Sequence, residues 1–153
     1  MPYPLRLRSG KCHNLGNYLR ESAMLGTFQH SQLRIEIEAS ASVLRDSLIT
    51  IPKLRQWLAP LPLEQGLPET LTPGLTFHSG LGYLRVQHHV DYVGHNCLRL
   101  LLSQSVDGFH EWQWGDGWVQ SRLEGISVLP LNFAQTASLL KLRQFVTTAA
   151  IAP

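Results

Sequence analysis

The chain has 153 residues, which is the size of one domain with a sizeable core. Its composition, 44% hydrophobic and 16% charged, excludes a disordered or fibrous protein. The net charge of +2 leaves no basic field for nucleic acid, and no apolar run approaches the ~20 residues that a membrane helix needs.

The N-terminal segment shows little periodicity and carries a basic charge balance. We interpret residues 1–29 as an N-terminal extension and residues 30–150 as one domain. Two interpretations of the extension stay open. Either Met24 is the true start, or the segment is a flexible basic tail that touches an acidic partner or a lipid surface. The charged residues of the extension are Arg6, Arg8, Lys11, Arg20 and Glu21.

The chain has two cysteines, Cys12 and Cys97. They provide neither a disulfide framework nor a cysteine-rich metal site. A reduced, intracellular setting is the simplest fit to this usage, and the N-terminus lacks the apolar segment of a signal peptide. We therefore expect a cytoplasmic protein.

The regular pattern begins with a strand and two short helices. Apolar and polar residues alternate over 32–38, which predicts a half-buried strand. Ser40 or Ser42 can cap the helix that follows by accepting a backbone N–H. Pro52 suits the first turn of a second helix, where its missing N–H costs nothing. The Pro- and Gly-rich stretch 59–74 predicts a loop.

Strands and then one long helix complete the chain. Residues 75–128 read almost entirely as strands, with turn signals at "SGLG", "VGHN", "VDG" and "GDG". Residues 131–150 predict a long helix with a broad apolar face. These elements indicate an α+β domain with a meandering antiparallel sheet. The apolar face of the helix includes Phe133, Ala137, Leu140, Leu142 and Phe145.

The last turn signal sets the register of the last two strands. A two-residue turn at Asp116-Gly117 suits hairpin geometry and places Glu111 opposite Arg122, a pair of opposite charges. This register divides the tryptophans of "HEWQWGDGWVQ" between two faces. Trp112 and Trp114 point inward, and Trp118 points outward.

Two three-residue loops complete the predicted register. A loop at 94–96 places Asp91 opposite Arg99, with Tyr92 on the inner face.

The second loop, at 106–108, joins the next pair of strands. It places Leu102 beside Trp112 and Leu100 beside Trp114, so that the apolar faces agree across four strands.

The predicted inner face is apolar with a few polar points, as in small-molecule sites. The alternative is a filled core in which each histidine is hydrogen-bonded to a neighbour, since a buried polar group costs free energy unless it is paired. If there is a cavity, its expected lining is His88, Leu100, Leu102, Gln104, His110, Trp112, Trp114 and Ser121.

The stretch "LRIEIEASASVLRDSLITIPKLRQWLAP", with the meander and the closing helix, resembles the START-like superfamily, the SRPBCC or polyketide cyclase/dehydrase and lipid-transport group. The resemblance covers roughly residues 30–150. It implies a helix-grip fold, in which a curved antiparallel sheet wraps around a long C-terminal helix. It also implies a cavity for a hydrophobic ligand and specifies no reaction.

Three functions are therefore expected, in different classes. The first is binding or carriage of a small hydrophobic molecule such as a lipid, polyketide, quinone or isoprenoid. The second is a cyclase- or dehydratase-type enzyme with His88 or His110 as general acid or base. The third is a protein-interaction module that uses Trp118 or the basic tail. We expect no cofactor and no metal, since His88 and His89 point to opposite faces of one strand.

Overall fold

The computed structural model describes residues 26–151, and residues 1–25 and 152–153 lie outside the described part. Its strands are β1 (Thr27–Glu36), β2 (Thr76–Leu81), β3 (Leu84–Val93), β4 (Cys97–Gln104), β5 (Asp107–Gly115) and β6 (Trp118–Ser127). Its helices are α1 (Ala41–Ile49), α2 (Ile51–Leu58) and α3 (Leu131–Ile151).

The strands form one antiparallel, curved sheet in the order β1-β6-β5-β4-β3-β2. The meander β2 to β6 follows the chain, and β1 joins its far edge by pairing with β6. Helix α3 packs against β1 and β6 and contacts both short helices. The predicted α+β architecture, a curved sheet around a long C-terminal helix, is confirmed.

Local capping signals place the two short helices as predicted. Ser40 is the N-cap of α1, and its side chain accepts a hydrogen bond from the backbone N of Val43 at 3.3 Å. Pro52 lies in the first turn of α2. The Trp57 indole of α2 donates to the backbone O of Ser47 at 2.9 Å, which ties the two helices together.

The β5–β6 hairpin has the predicted register. Glu111 pairs with Arg122, and the turn residue Gly117 has a φ of +82°, a conformation that glycine adopts without strain. The same turn contacts the start of α1, because an Asp116 carboxylate oxygen accepts from the backbone N of Ala41 at 2.7 Å.

The β3–β4 register is confirmed only in its first half. His88 pairs with Leu102 as predicted, but a bulge follows at Asp91 and shifts the later pairs by one. Arg99 therefore lies opposite Tyr92, and the predicted Asp91–Arg99 pairing is wrong. The bulge also turns the Tyr92 side chain away from the inner face. Tyr92 is 49% exposed as a result. The Asp91 carboxylate still lies 3.7 Å from Nε of Arg99.

The predicted β4–β5 register differs from the observed one by four positions. Leu98 lies opposite Trp112, and Leu100 lies opposite His110. An even shift keeps every side chain on its predicted face but changes its neighbours along the row.

Gly108 is the physical reason for the wrong register. The sequence suggests that this glycine belongs to the turn. In the structure it pairs with Leu102 inside the sheet, where a Cβ would lie 1.9 Å from the backbone O of Glu124. The glycine is needed for close approach of two strands, so the chain turns earlier, around Ser105.

Strand β1 begins earlier than the sequence indicates. It starts at Thr27, inside the predicted extension 1–29, and pairs with β6 along its whole length. The polar residues Gln29 and His30 interrupt the alternation, which is why the pattern begins only at residue 32.

The buried face of α3 differs from the predicted face. Leu142 is buried as expected and Phe145 is partly buried, but Phe133 is 74% exposed and Leu140 is 55% exposed. The helix is apolar on more than one side, so periodicity alone does not identify the packed stripe. That stripe is Leu131, Gln135, Leu139, Leu142 and Val146.

Two predictions fall on residues 1–25, outside the described part. They concern the tail with Met24 and the state of Cys12. Cys97 is the first residue of β4 and is disulfide-bonded. A disulfide at Cys97 does not support the expected reduced setting, which stays a prediction.

Candidate functional site

The inner face of the sheet is packed rather than open. Leu100, Leu102, Trp112 and Trp114 all belong to one buried cluster with the three helices. The Trp57 ring of α2 meets Trp112 edge to face, with centroids 6.2 Å apart. The structure thus brings these four predicted lining residues together on the inner face, and they contact protein there. That they bind a ligand stays a prediction.

His88 lies on the inner face with one ring nitrogen satisfied. Its Nε2 shares a hydrogen bond of 2.7 Å with Oγ of Ser79, and its ring stacks on Phe77 with centroids 4.8 Å apart. Nδ1 is buried and has no hydrogen-bond partner in the described part of the chain. Burial, followed by the charge of nearby His78, lowers the pKa of His88 to about 4, so the imidazole is neutral near pH 7.

His110 lies on β5, two strands away from His88, and its Nε2 belongs to a hydrogen-bond network. Its Nε2 is 2.7 Å from Oγ of Ser121, which accepts a hydrogen bond from Nε2 of Gln135 at 2.9 Å. The one proton of the Ser121 hydroxyl is then available for His110 Nε2. Burial, followed by the charge of His88, lowers the pKa of His110 to about 3. A neutral ring that accepts at Nε2 agrees with this shift.

Gln135 is the centre of that network, and the sequence analysis missed it. It is 1% exposed on α3. Its amide N donates to the backbone O of Ser121 at 2.8 Å, and its amide O accepts from Oγ of Ser31 at 2.6 Å. The network therefore fastens α3 to β1 and β6. The sequence did contain a signal for it, because Gln135 is a polar residue four positions from both Leu131 and Leu139, on the same side of the helix.

Gln104 lies apart from the other predicted site residues. It is exposed at the end of β4 and has a φ of +78°, which an asparagine or glycine adopts more readily. The shifted β4–β5 register also removes it from the row of His110. The structure does not bring it to the interior.

Trp114 and Trp118 lie on opposite faces, as predicted. Trp114 is 1% exposed, and its Nε1 is buried with no hydrogen-bond partner in the region that the structure describes. Trp118 is half-buried on the outer face beneath the guanidinium of Arg34, which lies 4.2 Å from the ring centroid. A tryptophan covered in this way offers less surface to a partner than a free one.

Two surface pockets adjoin each other beside β2. The first, of about 310 Å³, has Glu64, His78, Ser79 and Arg85 in its wall. The second, of about 210 Å³, lies along residues 59–65 and shares Pro62 and Leu63 with the first. The first pocket touches the interior through Ser79, the partner of His88. Sequence analysis had assigned residues 59–74 to a loop and had missed this site.

Two negative findings apply to residues 26–151. No helix there is long and apolar enough to cross a membrane. No group of three or more His, Cys, Asp or Glu side chains is placed to hold a metal ion.

Solved structures similar to this one agree with the fold. An AHSA1-like protein from Aeromonas hydrophila has a TM-score of 0.63 and 14% identity, over 81% of this chain and 96% of that one. The major latex-like protein 151 from Panax ginseng has a TM-score of 0.58 and 10% identity, over 84% of this chain and 100% of that one. This chain has the START-like helix-grip fold.

A third helix-grip structure is DynU16, from the dynemicin biosynthetic locus. Its TM-score is 0.60 and its identity is 14%, over 78% of this chain, which spans about half, 48%, of DynU16. No protein-family model and no curated protein sequence matches the chain. At these identities the similarity concerns the helix-grip fold alone.

Proposed function

We propose that this protein binds a small, mainly apolar ligand between the inner face of the sheet and α3, and that His88 holds the one polar group of the ligand. The observation that carries the proposal is the buried, unpartnered Nδ1 of His88 in the described structure. A buried polar atom without a partner costs about 1–3 kcal/mol, so a hydrogen bond from a ligand would be favourable there.

The state of His88 favours a neutral polar group on the ligand. With its pKa lowered to about 4, the imidazole carries no charge near pH 7. A carboxylate would gain no ion pair from it, whereas a hydroxyl or carbonyl group would form a hydrogen bond between neutral partners. This chemistry fits a quinone, a polyketide, an isoprenoid alcohol or a neutral lipid. The apolar part would displace packing around Leu100, Leu102 and Trp112.

Two other functions receive less support. A histidine with a pKa of about 4 or 3 is a weak general base near neutrality, which disfavours catalysis by His88 or His110 in the closed form. An interaction module through Trp118 would first have to displace Arg34 from the ring. A cytoplasmic location also belongs to the proposal and rests on the sequence.

The test is native mass spectrometry of the protein purified from its own host, followed by organic extraction and analysis of the extract. We expect a co-purifying apolar molecule with one hydroxyl or carbonyl group. The variant His88→Phe keeps the ring stacked on Phe77 and removes Nδ1, so it should retain about tenfold less of that molecule. His95→Phe, in the exposed β3–β4 turn, is the matched control and should retain all of it.

An apo mass for the unaltered protein would overturn the proposal. If His88→Phe retained as much of the molecule as the unaltered protein, His88 would not hold its polar group, and the assignment of that residue would be overturned.

A further inference from the structure

We propose that the pocket beside β2 is a second binding site, separate from the interior, for a small hydroxy acid. Glu64, His78 and Arg85 would form it. The pocket volume of about 310 Å³ lies at the small end of the range of ligand sites, ~300–1,000 Å³. The site involves none of the inner-face residues of the proposed function except Ser79.

The backbone holds the pocket in a fixed shape. Residues 62–64 run beside β2 as a short antiparallel partner. The backbone N of Glu64 donates to the O of His78 at 3.1 Å, and the N of Gly80 donates to the O of Pro62 at 3.2 Å. On the other side, the guanidinium of Arg55 donates to the backbone O of Leu63 at 2.9 Å. A site built on paired backbone keeps its geometry.

Glu64 orients the His78 ring. One carboxylate oxygen, Oε2, accepts from the backbone N of His78 at 3.1 Å and lies 2.8 Å from its Nδ1. A carboxylate can only accept, so Nδ1 carries the proton. In the neutral ring Nε2 is then an acceptor, and no residue in the described part bonds to it. A ligand group that meets Nε2 must therefore be a donor, such as a hydroxyl.

Arg85 supplies the charge that an acid needs. It lies opposite Gly80 in the β2–β3 pair, and His78 lies one row away on the same face of the sheet. At Gly80 the two strands approach closely, since a Cβ there would lie 1.9 Å from the backbone O of Leu84. The Arg85 guanidinium makes no ion pair with the described residues. It can hold a carboxylate with two parallel hydrogen bonds.

The other explanation of the Glu64–His78 pair is a brace for the loop. A brace explains the contact between Glu64 and Nδ1 of His78. It does not explain why Nε2 of His78 and the guanidinium of Arg85 both lie in this pocket without a partner among the described residues. The two explanations differ in whether the pocket distinguishes a hydroxy acid from the same acid without its hydroxyl.

The test is an NMR titration with 3-hydroxybutyrate and with butyrate, following the imidazole nitrogens of His78. We expect 3-hydroxybutyrate to bind with a change at Nε2, and butyrate to bind about tenfold more weakly. His78→Phe should bind both acids equally. Arg85→Gln should lose binding about tenfold, whereas Arg143→Gln, an exposed arginine on α3, should not.

Three outcomes would overturn the site: no change at His78 with 3-hydroxybutyrate, equal binding of both acids to the unaltered protein, or equal losses in the two arginine variants. Arg85 is exposed, so its variant should keep the amide spectrum of the folded protein. The outcome does not depend on the interior ligand, because neither acid needs the interior.

Discussion

Gln135 shows how one buried amide can organise a core. It sits among leucines on α3, yet its amide finds partners on two strands, Ser31 and Ser121. Ser121 extends the chain of hydrogen bonds to His110. His88, in contrast, keeps one buried nitrogen without a partner among residues 26–151. The two histidines therefore differ, and the proposed function assigns the unpartnered nitrogen of His88 to a ligand.

Replacing Gln135 tests the network. Gln135→Leu keeps the size of the side chain but removes the buried amide that bonds to Ser31 and Ser121, so we expect the free energy of unfolding to fall by about 2 kcal/mol or more. Urea unfolding measures the change. Gln144→Leu, on an exposed position of the same helix, should change it by less than about 0.5 kcal/mol. Equal effects of the two variants would contradict a structural role for the network.

The two buried histidines predict a loss of stability in acid. Their pKa values are about 4 and 3 in the folded protein, below the ordinary 6.5. As the pH falls below 6.5, the unfolded chain binds protons that the folded protein does not. Stability is lost down to about pH 4 through His88 and down to about pH 3 through His110. At pH 5 the loss should be on the order of 2 kcal/mol for each histidine.

Urea unfolding at pH 7 and pH 5 measures that loss. His88→Phe should show roughly half of the pH dependence that the two histidines produce. His95→Gln, in the exposed turn, should match the unaltered protein. An unchanged pH dependence in His88→Phe would show that His88 is not held neutral by burial.

At the scale of the elements, α3 decides whether the inner face is open or closed. It packs against β1, β6 and both short helices, and its buried leucines belong to the same buried cluster as the core tryptophans. The outward residues Phe133 and Leu140 are large and apolar as well. Hydrophobicity is therefore spread around the helix, and only contact with the sheet distinguishes its two sides.

A pair of leucine variants tests which side of α3 is packed. Leu142 is fully buried, so Leu142→Ala should lower the free energy of unfolding by about 2–5 kcal/mol. Leu140 is 55% exposed, and Leu140→Ala should cost less than about 1 kcal/mol. Thermal or urea unfolding compares them directly. Similar costs would mean that α3 uses both sides.

At the scale of the whole molecule, the helix-grip is closed over a filled interior. Neither of the two pockets beside β2 lies between the sheet and α3. A ligand of the interior would therefore need a preceding opening, in which α3 or the loop 59–74 moves away from the sheet. Such an opening limits how fast a ligand can bind.

Association kinetics with the apolar fluorescent probe 1-anilinonaphthalene-8-sulfonate test the opening. We expect the observed rate in stopped-flow mixing to level off at high probe concentration, because opening then limits binding. Leu142→Ala, which weakens the packing of α3, should raise the plateau. A rate that rises linearly with probe concentration and ignores Leu142→Ala would contradict a closed interior.

The sequence by itself determined the features that depend on neighbours within a few residues. A serine cap at Ser40 or Ser42, the turn at Asp116-Gly117 and the helix start at Pro52 follow from local chemistry. The structure confirms all three and selects Ser40 as the cap. The inward direction of Trp112 and the outward direction of Trp118 follow from strand alternation once that turn is known. The helix-grip architecture itself was implied by the resemblance to the START-like superfamily, and the structure has it.

The tertiary structure decided the features that depend on distant residues. The β4–β5 register depends on how closely Gly108 approaches Glu124, and these residues are neighbours only in the folded sheet. The packed side of α3 and the partners of Gln135 likewise depend on β1, about 100 residues earlier, and on β6, which the chain folds back onto. Glu64 meets His78 because a loop pairs with a strand edge. The alternation of apolar and polar residues along the chain does not predict such contacts, because its period is only two to four residues.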